Sequence, residues 1–255
     1  MAKFGTNEWA DQKGKEACVR GCPHGCIYCY AHARAKRYKE PAAKDWTKFE
    51  INWERVAQRK GYDGLRCMFP VSHDISPETL GASMEMIRKM LDGGAKRLLI
   101  VSKPHIPCIK AICAAFDEYR DRILFRFSIG SDDDVILKFW EPHAPAYAER
   151  TECLRIATAS GFKTSVSMEP MLDPDNAERL VEKLFVDTDF VIVGTLNNRG
   201  NLPESHKAAA GEIRSKSAAA IKRLYAKYAN DPRVGWKDTA KKVLGLPGLG
   251  SEQVE

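Results

Sequence analysis

From residue 65 onward the chain keeps a regular beat in which short β-branched or apolar runs alternate with amphipathic stretches. Five runs read as strands, at residues 65–72, 97–102, 123–129, 163–169 and 190–195. The segments between them carry helix signals. Ser76-Pro77-Glu78 supplies an N-cap, a first-turn proline and a first-turn acid, and Met84, Ile87, Met90 and Leu91 then form an apolar face that ends at Gly93-Gly94. Residues 107–119, 147–160 and 175–184 follow the same pattern. Strands separated by helices pair in parallel, because the helix carries the chain back to the same end of the sheet. A weaker strand before Cys22 makes six units, fewer than the eight of a closed barrel. The expected class is therefore α/β with a parallel sheet. Residues 204–229 read as one basic helix ahead of a Pro/Gly-rich tail.

Functional groups of such sheets gather at the C-terminal ends of the strands. Here those ends carry Ser72-His73-Asp74, Ser102-Lys103, Ser128, Ser167-Met168-Glu169 and Asn197-Asn198. Turns and helix caps favour Ser, Asp and Asn in any case. A charged residue after three of five strands is more than capping asks for. Asp132, Asp133 and Asp134 follow Ser131 and read as acids at a helix N-terminus.

The 255 residues carry a formal charge of +6 that is unevenly spread. Residues 1–60 hold 13 Lys+Arg against 7 Asp+Glu, residues 61–204 hold 17 against 22, and residues 205–245 hold 10 against 3. Two basic ends around an acidic middle can steer a polyanion to one face, although most charge runs only keep a surface solvated. The apolar runs at 98–101 and 190–193 fall far short of the ~18 residues of a spanning helix, and the N-terminus has no apolar signal core, so a cytoplasmic protein without membrane association is expected.

Eight cysteines are too few for a small disulfide scaffold, and four fall within Cys18-Val-Arg-Gly-Cys22-Pro-His-Gly-Cys26-Ile-Tyr-Cys29-Tyr30-Ala31. Cys22, Cys26 and Cys29 form C-x3-C-x2-C, a spacing that lets one short loop present three thiolates to a compact metal centre. A cube of four irons held by three cysteines leaves one iron open for chemistry. Two other readings count Cys18 as a fourth ligand: a closed zinc site, or a four-cysteine electron-transfer cluster. Zinc sites usually pair two knuckles across a longer loop, whereas here all four thiols crowd into twelve residues. Cys67, Cys108, Cys113 and Cys153 read as small buried hydrophobes.

At this loop the sequence resembles the radical S-adenosylmethionine superfamily, whose signature is C-x3-C-x2-C with an aromatic residue before the last cysteine, the place of Tyr28. The run from Arg20 to Ala31 is similar to the spore photoproduct lyase-like branch. So are Phe127-Ser128-Ile129 followed by the three aspartates, and Glu141-Pro142-His143-Ala144-Pro145 with Glu149-Arg150. The resemblance runs from about residue 18 to 198, and Trp236-Lys237-Asp238 extends it. It implies a partial (βα)6 TIM-like barrel over residues 1–203, with the cluster loop at the C-terminal strand ends and residues 204–255 as a basic helix and tail.

The resemblance also implies a 4Fe-4S cluster on Cys22, Cys26 and Cys29, with S-adenosylmethionine chelating the open iron. Reductive cleavage of that cofactor then gives a 5′-deoxyadenosyl radical for hydrogen abstraction. Carried over by position, Tyr28 lies near the adenine, Ser72 and Asp74 at the amino group, Lys103 at the carboxylate and Ser128 at the ribose. Glu169 serves cofactor or substrate, or pairs with Lys103 across the barrel mouth. The branch has a hydrogen-returning cysteine beside its Ser/Asp segment, whereas the nearest here, Cys67, lies several residues earlier. The expected activity is that of a radical enzyme, a lyase, isomerase or relative, acting on a nucleobase in DNA or a nucleotide, with flavodoxin or ferredoxin as electron donor. A peptide or small-metabolite substrate is the alternative within enzymes. A zinc-stabilised nucleic-acid-binding module is the alternative outside them.

Overall fold

The computed structural model describes residues 10–197 and 202–247. Six parallel strands form one sheet in strictly sequential order: β3 (Arg66–Phe69), β4 (Arg97–Ser102), β5 (Ile123–Ser128), β6 (Lys163–Met168), β7 (Val191–Val193) and β8 (Val234–Trp236). Sequential order in a twisted parallel sheet curls it into part of a barrel, with the connecting helices outside. Register is continuous across the middle of the sheet: Ile100 pairs with Phe125, and Phe125 with Thr164. Leu98, Ile100, Phe125, Phe127, Val166 and Val191 are all buried, as strands covered on both faces require.

The sixth strand is not where the sequence suggested. Val19–Arg20 (β1) leaves the barrel and pairs antiparallel with Glu50–Ile51 (β2) in a separate two-stranded sheet. Beyond β7, which pairs with β6 on one side, the sheet ends in β8, only three residues long and centred on Gly235, too short and too glycine-dependent to register as an apolar run. The sheet thus continues past residue 203, the expected end of the barrel. The strand over residues 65–72 is also shorter than expected, because Pro70 offers no N–H to the ladder.

The helices that matter for the site are α1 (Tyr30–Arg37), α2 (Trp53–Ala57), α3 (Leu80–Asp92), α4 (Ile106–Ala115), α5 (Asp134–Trp140), α6 (Tyr147–Ala159), α7 (Ala177–Leu184), α8 (Glu204–Tyr228) and α9 (Asp238–Leu244). Ser76 and Thr79 form a reciprocal cap ahead of α3, and Gly93 ends it. Asp133 caps α5 by accepting from the Val135 amide, and Asp132 pairs with Arg179 and Lys183 of α7. The basic helix α8 lies along α7, and three of its cations are paired on or just ahead of that helix: Lys216 with Asp175 at 2.6 Å, Arg223 with Glu178 at 2.7 Å, and Lys227 with Glu182. Among the described residues no helix is long and apolar enough to cross a membrane.

Candidate functional site

The cysteine loop starts where β1 ends. Gly21 and Gly25 take φ of +90° and +60°, conformations open to glycine, and a Cβ on Gly21 would stand 2.6 Å from the Trp46 carbonyl. The loop is pinned by backbone bonds from Cys22 N to Trp46 O, Ile27 N to Trp140 O and Cys29 N to Cys26 O, at 2.9, 2.9 and 3.1 Å. Cys29 then caps α1, its sulfur accepting from the His32 amide. The result is three thiols turned toward one cavity of about 460 Å³ at the C-terminal ends of the sheet.

Cys18 does not join them. It is wholly buried in the main core, its amide donating to His73 Nε2 at 3.2 Å and its sulfur 3.7 Å from the same nitrogen. Cys67, Cys108, Cys113 and Cys153 are buried in that core too, so no cysteine beyond the three lines the cavity. The readings with a fourth cysteine ligand therefore lose their ligand. Burial, with Asp74 adding to it, pushes the Cys22 thiol up to about 12, and burial, with Glu141 and Asp74 adding to it, drives Cys26 well above the ordinary thiol range. Buried thiols without a counter-charge stay protonated, and a bound cationic metal is what turns such sulfurs into thiolates. Three converging thiols beside open cavity space fit a cluster that keeps one iron free of protein.

Next to the cysteines the ends of β3 and β4 place Asp74 and Lys103 on the cavity wall, with Lys103 Nζ 3.7 Å from Asp74 Oδ2. Asp74 Oδ1 accepts from Ser102 Oγ at 3.1 Å and from the Lys103 amide at 2.6 Å, and Oδ2 lies 3.1 Å from His24 Nδ1. Burial alone would raise the Asp74 carboxyl, but Lys103 and His24 outweigh it and hold it well below the usual range. For Lys103 burial pulls down, and Asp74, the largest opposing charge, helps keep the ammonium protonated. Both members are thus ionised at neutral pH. His24 Nε2 in turn lies 2.9 Å from His105 Nε2, so a chain of polar groups runs from Asp74 toward the surface.

Tyr28 is fixed from behind. Its hydroxyl donates to Glu141, whose other oxygen sits 2.6 Å from Arg150 Nη2, and both charged side chains are almost fully buried at 2% and 0% exposure. Arg150 also donates to the carbonyls of Pro145 and Ser128. The Glu141 to Arg150 segment therefore ties the cysteine loop to the end of β5.

Glu169, at the end of β6, does not meet Lys103. Its carboxylate pairs with Lys237 at 2.6 Å and accepts from Thr239 Oγ1 at 3.1 Å and Asn197 Nδ2 at 3.3 Å. The reason is position: Lys103 follows the second strand of the sheet and is engaged by Asp74, whereas Lys237 follows the last strand. Cys22, Cys26, Cys29, Tyr28, Ser72, Asp74, Lys103, Ser128 and Glu169 all line the same cavity. Asn197 lines it as well, and Asn198 lies outside the described residues. Sequence reasoning named Lys237 and the Glu141 and Arg150 stretches only as parts of the resemblance and gave neither a role, because the strand that delivers Lys237 was not recognised, and it gave none to His24.

With this geometry in hand, the sequence profile described as the radical SAM superfamily matches residues 18–185. A spore photoproduct lyase complexed with dinucleoside spore photoproduct superposes with a TM-score of 0.56 at 13% identity, covering 92% of this chain and 78% of the lyase. A variant of that lyase with bound AdoMet and the same dinucleoside gives 0.54 at 14% identity, covering 86% and 74%. Likeness at such identities speaks for the fold. ORF301, an uncharacterised protein of Acidianus two-tailed virus, is 23% identical over 175 residues, 64% of this chain, and the chain spans 57% of that relative's length.

Proposed function

The chain belongs to the radical S-adenosylmethionine superfamily, and from that premise we propose that it acts on a nucleobase in DNA or in a nucleotide, in lesion repair or base modification. The superfamily's cofactors, a 4Fe-4S cluster and S-adenosylmethionine, supply reductive cleavage of a sulfonium C–S bond and the hydrogen abstraction that follows. In this reading Cys22, Cys26 and Cys29 hold the cluster. Asp74 and Lys103, opposite charges side by side next to those cysteines, answer the ammonium and carboxylate of the cofactor's amino-acid end. Ser72 assists at the amino group, Ser128 holds the ribose, and Tyr28 lies against the adenine with its ring fixed through Glu141.

The observation that carries the substrate assignment is the second polar set on the other edge of the sheet. Glu169, Lys237, Thr239 and Asn197 hold a carboxylate, an ammonium, a hydroxyl and an amide together, well separated along the strand order from Asp74 and Lys103. A nucleobase edge is a row of donors and acceptors, and a mixed set of this kind reads it, whereas the Asp74–Lys103 pair is matched to a zwitterion. The likeness to a fold that holds a dinucleoside photoproduct supports the same assignment. Electrons come from a flavodoxin- or ferredoxin-type donor.

The test is anaerobic reconstitution with iron and sulfide, followed by incubation with S-adenosylmethionine, a reductant and, in parallel, DNA strands, nucleosides and peptides. The expected result is substrate-dependent cofactor cleavage and a mass-shifted base in a nucleic-acid arm. Conversion confined to the peptide arm would replace this reading with the peptide alternative.

A further inference from the structure

The two basic segments of the sequence differ in what their charges do. Three cations of α8, Lys216, Arg223 and Lys227, are paired with Asp175, Glu178 and Glu182 on or just ahead of α7, and in the N-terminal segment Arg55 and Lys60 are both taken up by buried Glu16 at 2.6 Å. The stretch from residue 30 to 48 is different. It holds six Lys+Arg against two acids. Those acids make only loose or solvent-exposed pairs, Glu40 with Arg34 at 3.8 Å and Asp45 with Lys48 at 2.8 Å. Among the described residues no carboxylate lies within 4.0 Å of Lys36, Arg37, Lys39 or Lys44.

Aromatic rings interleave with these charges. Tyr30 and Tyr38 are 54% and 67% exposed. Ala31 and Ala35 form the buried side of α1, Arg34, Lys36 and Arg37 are exposed away from it, and exposed Tyr38 follows as the helix C-cap. Tyr30 also lines the cavity, and its hydroxyl donates to the Val71 carbonyl on the cavity rim. Helix α1 has eight residues, so the whole face lies within about 12 Å of the cysteine that caps it.

We propose that the exposed face of α1, continued by Lys39 and Lys44, is a docking track for a single strand of nucleic acid, with phosphates on Lys36, Arg37, Lys39 and Lys44 and an unpaired base stacked on Tyr38. The assignment rests on the nucleobase reading of the cavity and adds to it where the rest of the polymer runs. Charge complementarity and exposed π-faces are the two elements by which proteins hold single strands without reading their sequence. The start of the track at the cavity rim delivers one nucleotide of the bound strand to the strand ends.

The experiment is fluorescence anisotropy of a labelled 20-nucleotide single strand titrated with reconstituted holoenzyme at several salt concentrations. The triple variant Lys36→Gln, Arg37→Gln, Lys39→Gln is expected to lose at least about tenfold in affinity at low salt. Its slope of log affinity against log salt should fall by about two, three contacts at roughly 0.7 each. Tyr38→Ala should weaken binding and leave the slope unchanged. A variant with the same net charge, Lys216→Gln, Arg223→Gln, Lys227→Gln on α8, should bind like wild type. Equal losses in the two triple variants, or an unchanged α1 variant, overturn the track. Nucleoside turnover measured beside it reports on the cavity separately: a nucleoside converted equally by wild type and the α1 variant supports the cavity reading whatever the strand does, and no conversion of any base overturns that reading instead.

Discussion

Replacing Arg150 by Met tests the largest buried electrostatic unit of the site. Arg150 and Glu141 sit 2.6 Å apart at 0% and 2% exposure, and Glu141 outweighs burial to raise the arginine's affinity for its proton. Removing one partner strands the Glu141 carboxylate in a dry interior with the Tyr28 hydroxyl as its remaining ligand, and such a loss costs about 3–5 kcal/mol. For a chain of this size each kcal/mol lowers the melting temperature by about 2–4 °C, so Arg150→Met should melt roughly 6–20 °C lower. Glu141→Gln should cost a similar amount, because it leaves the guanidinium unpaired. The double variant Arg150→Met, Glu141→Leu should be more stable than either single one, since exchanging a whole buried pair for apolar groups of similar volume is often neutral. The assay is thermal unfolding by circular dichroism of the metal-free and reconstituted forms, with iron content measured on each. A shift under about 2 °C for Arg150→Met, or a double variant that simply sums the two losses, would refute the coupling.

In the proposed cofactor placement Asp74→Asn removes a charge-assisted contact to the ammonium worth about 1.5–3 kcal/mol, so S-adenosylmethionine affinity by calorimetry should fall roughly ten- to a hundredfold. Because Lys103 then loses its buried counter-charge, melting should fall as well, whereas Ser128→Ala should change affinity alone. Gly194→Ala places a Cβ 2.6 Å from Glu169 Oε1 and pushes that carboxylate off Lys237, so it should reduce substrate conversion while cofactor affinity stays unchanged. His73 is held neutral by burial, its acidity moved from 6.5 down to about 4. The unfolded chain therefore binds the extra proton first as pH falls, and stability is full above about 6.5 and loses roughly 3 kcal/mol as pH drops to about 4. Denaturant titrations of wild type and His73→Gln across that window should show the shallower dependence in the variant, and parallel curves would assign the acid loss to carboxylates instead.

Much of the fold was legible because its signals are local. The run at residues 97–102 matches β4 end for end, and Ser76 with Gly93 bounds the helix between β3 and β4. The polar ends of those strands were legible for the same reason, since a parallel sheet puts them at one mouth. What escaped depends on contacts between distant segments. Val234–Trp236 is a strand because β7 offers it a ladder, so Lys237 became a site residue only through topology. Sequence offered Lys103 as the partner of Glu169, and the strand order decides for Lys237 instead. Cys18 lies four residues from Cys22, yet the chain turns at Gly21 and sends the two sulfurs to different places, one into the core and one onto the cavity.

The central claim is that three cysteines, and not four, hold a cluster whose open iron takes the cofactor beside Asp74 and Lys103. Electron paramagnetic resonance of the anaerobically reduced protein, before and after adding S-adenosylmethionine, tests it on wild type, Cys18→Ala and Cys26→Ala. The account predicts a 4Fe-4S signal in wild type and Cys18→Ala that changes when the cofactor is added, and no such signal in Cys26→Ala. A signal indifferent to the cofactor, or one lost in Cys18→Ala as fully as in Cys26→Ala, would contradict it.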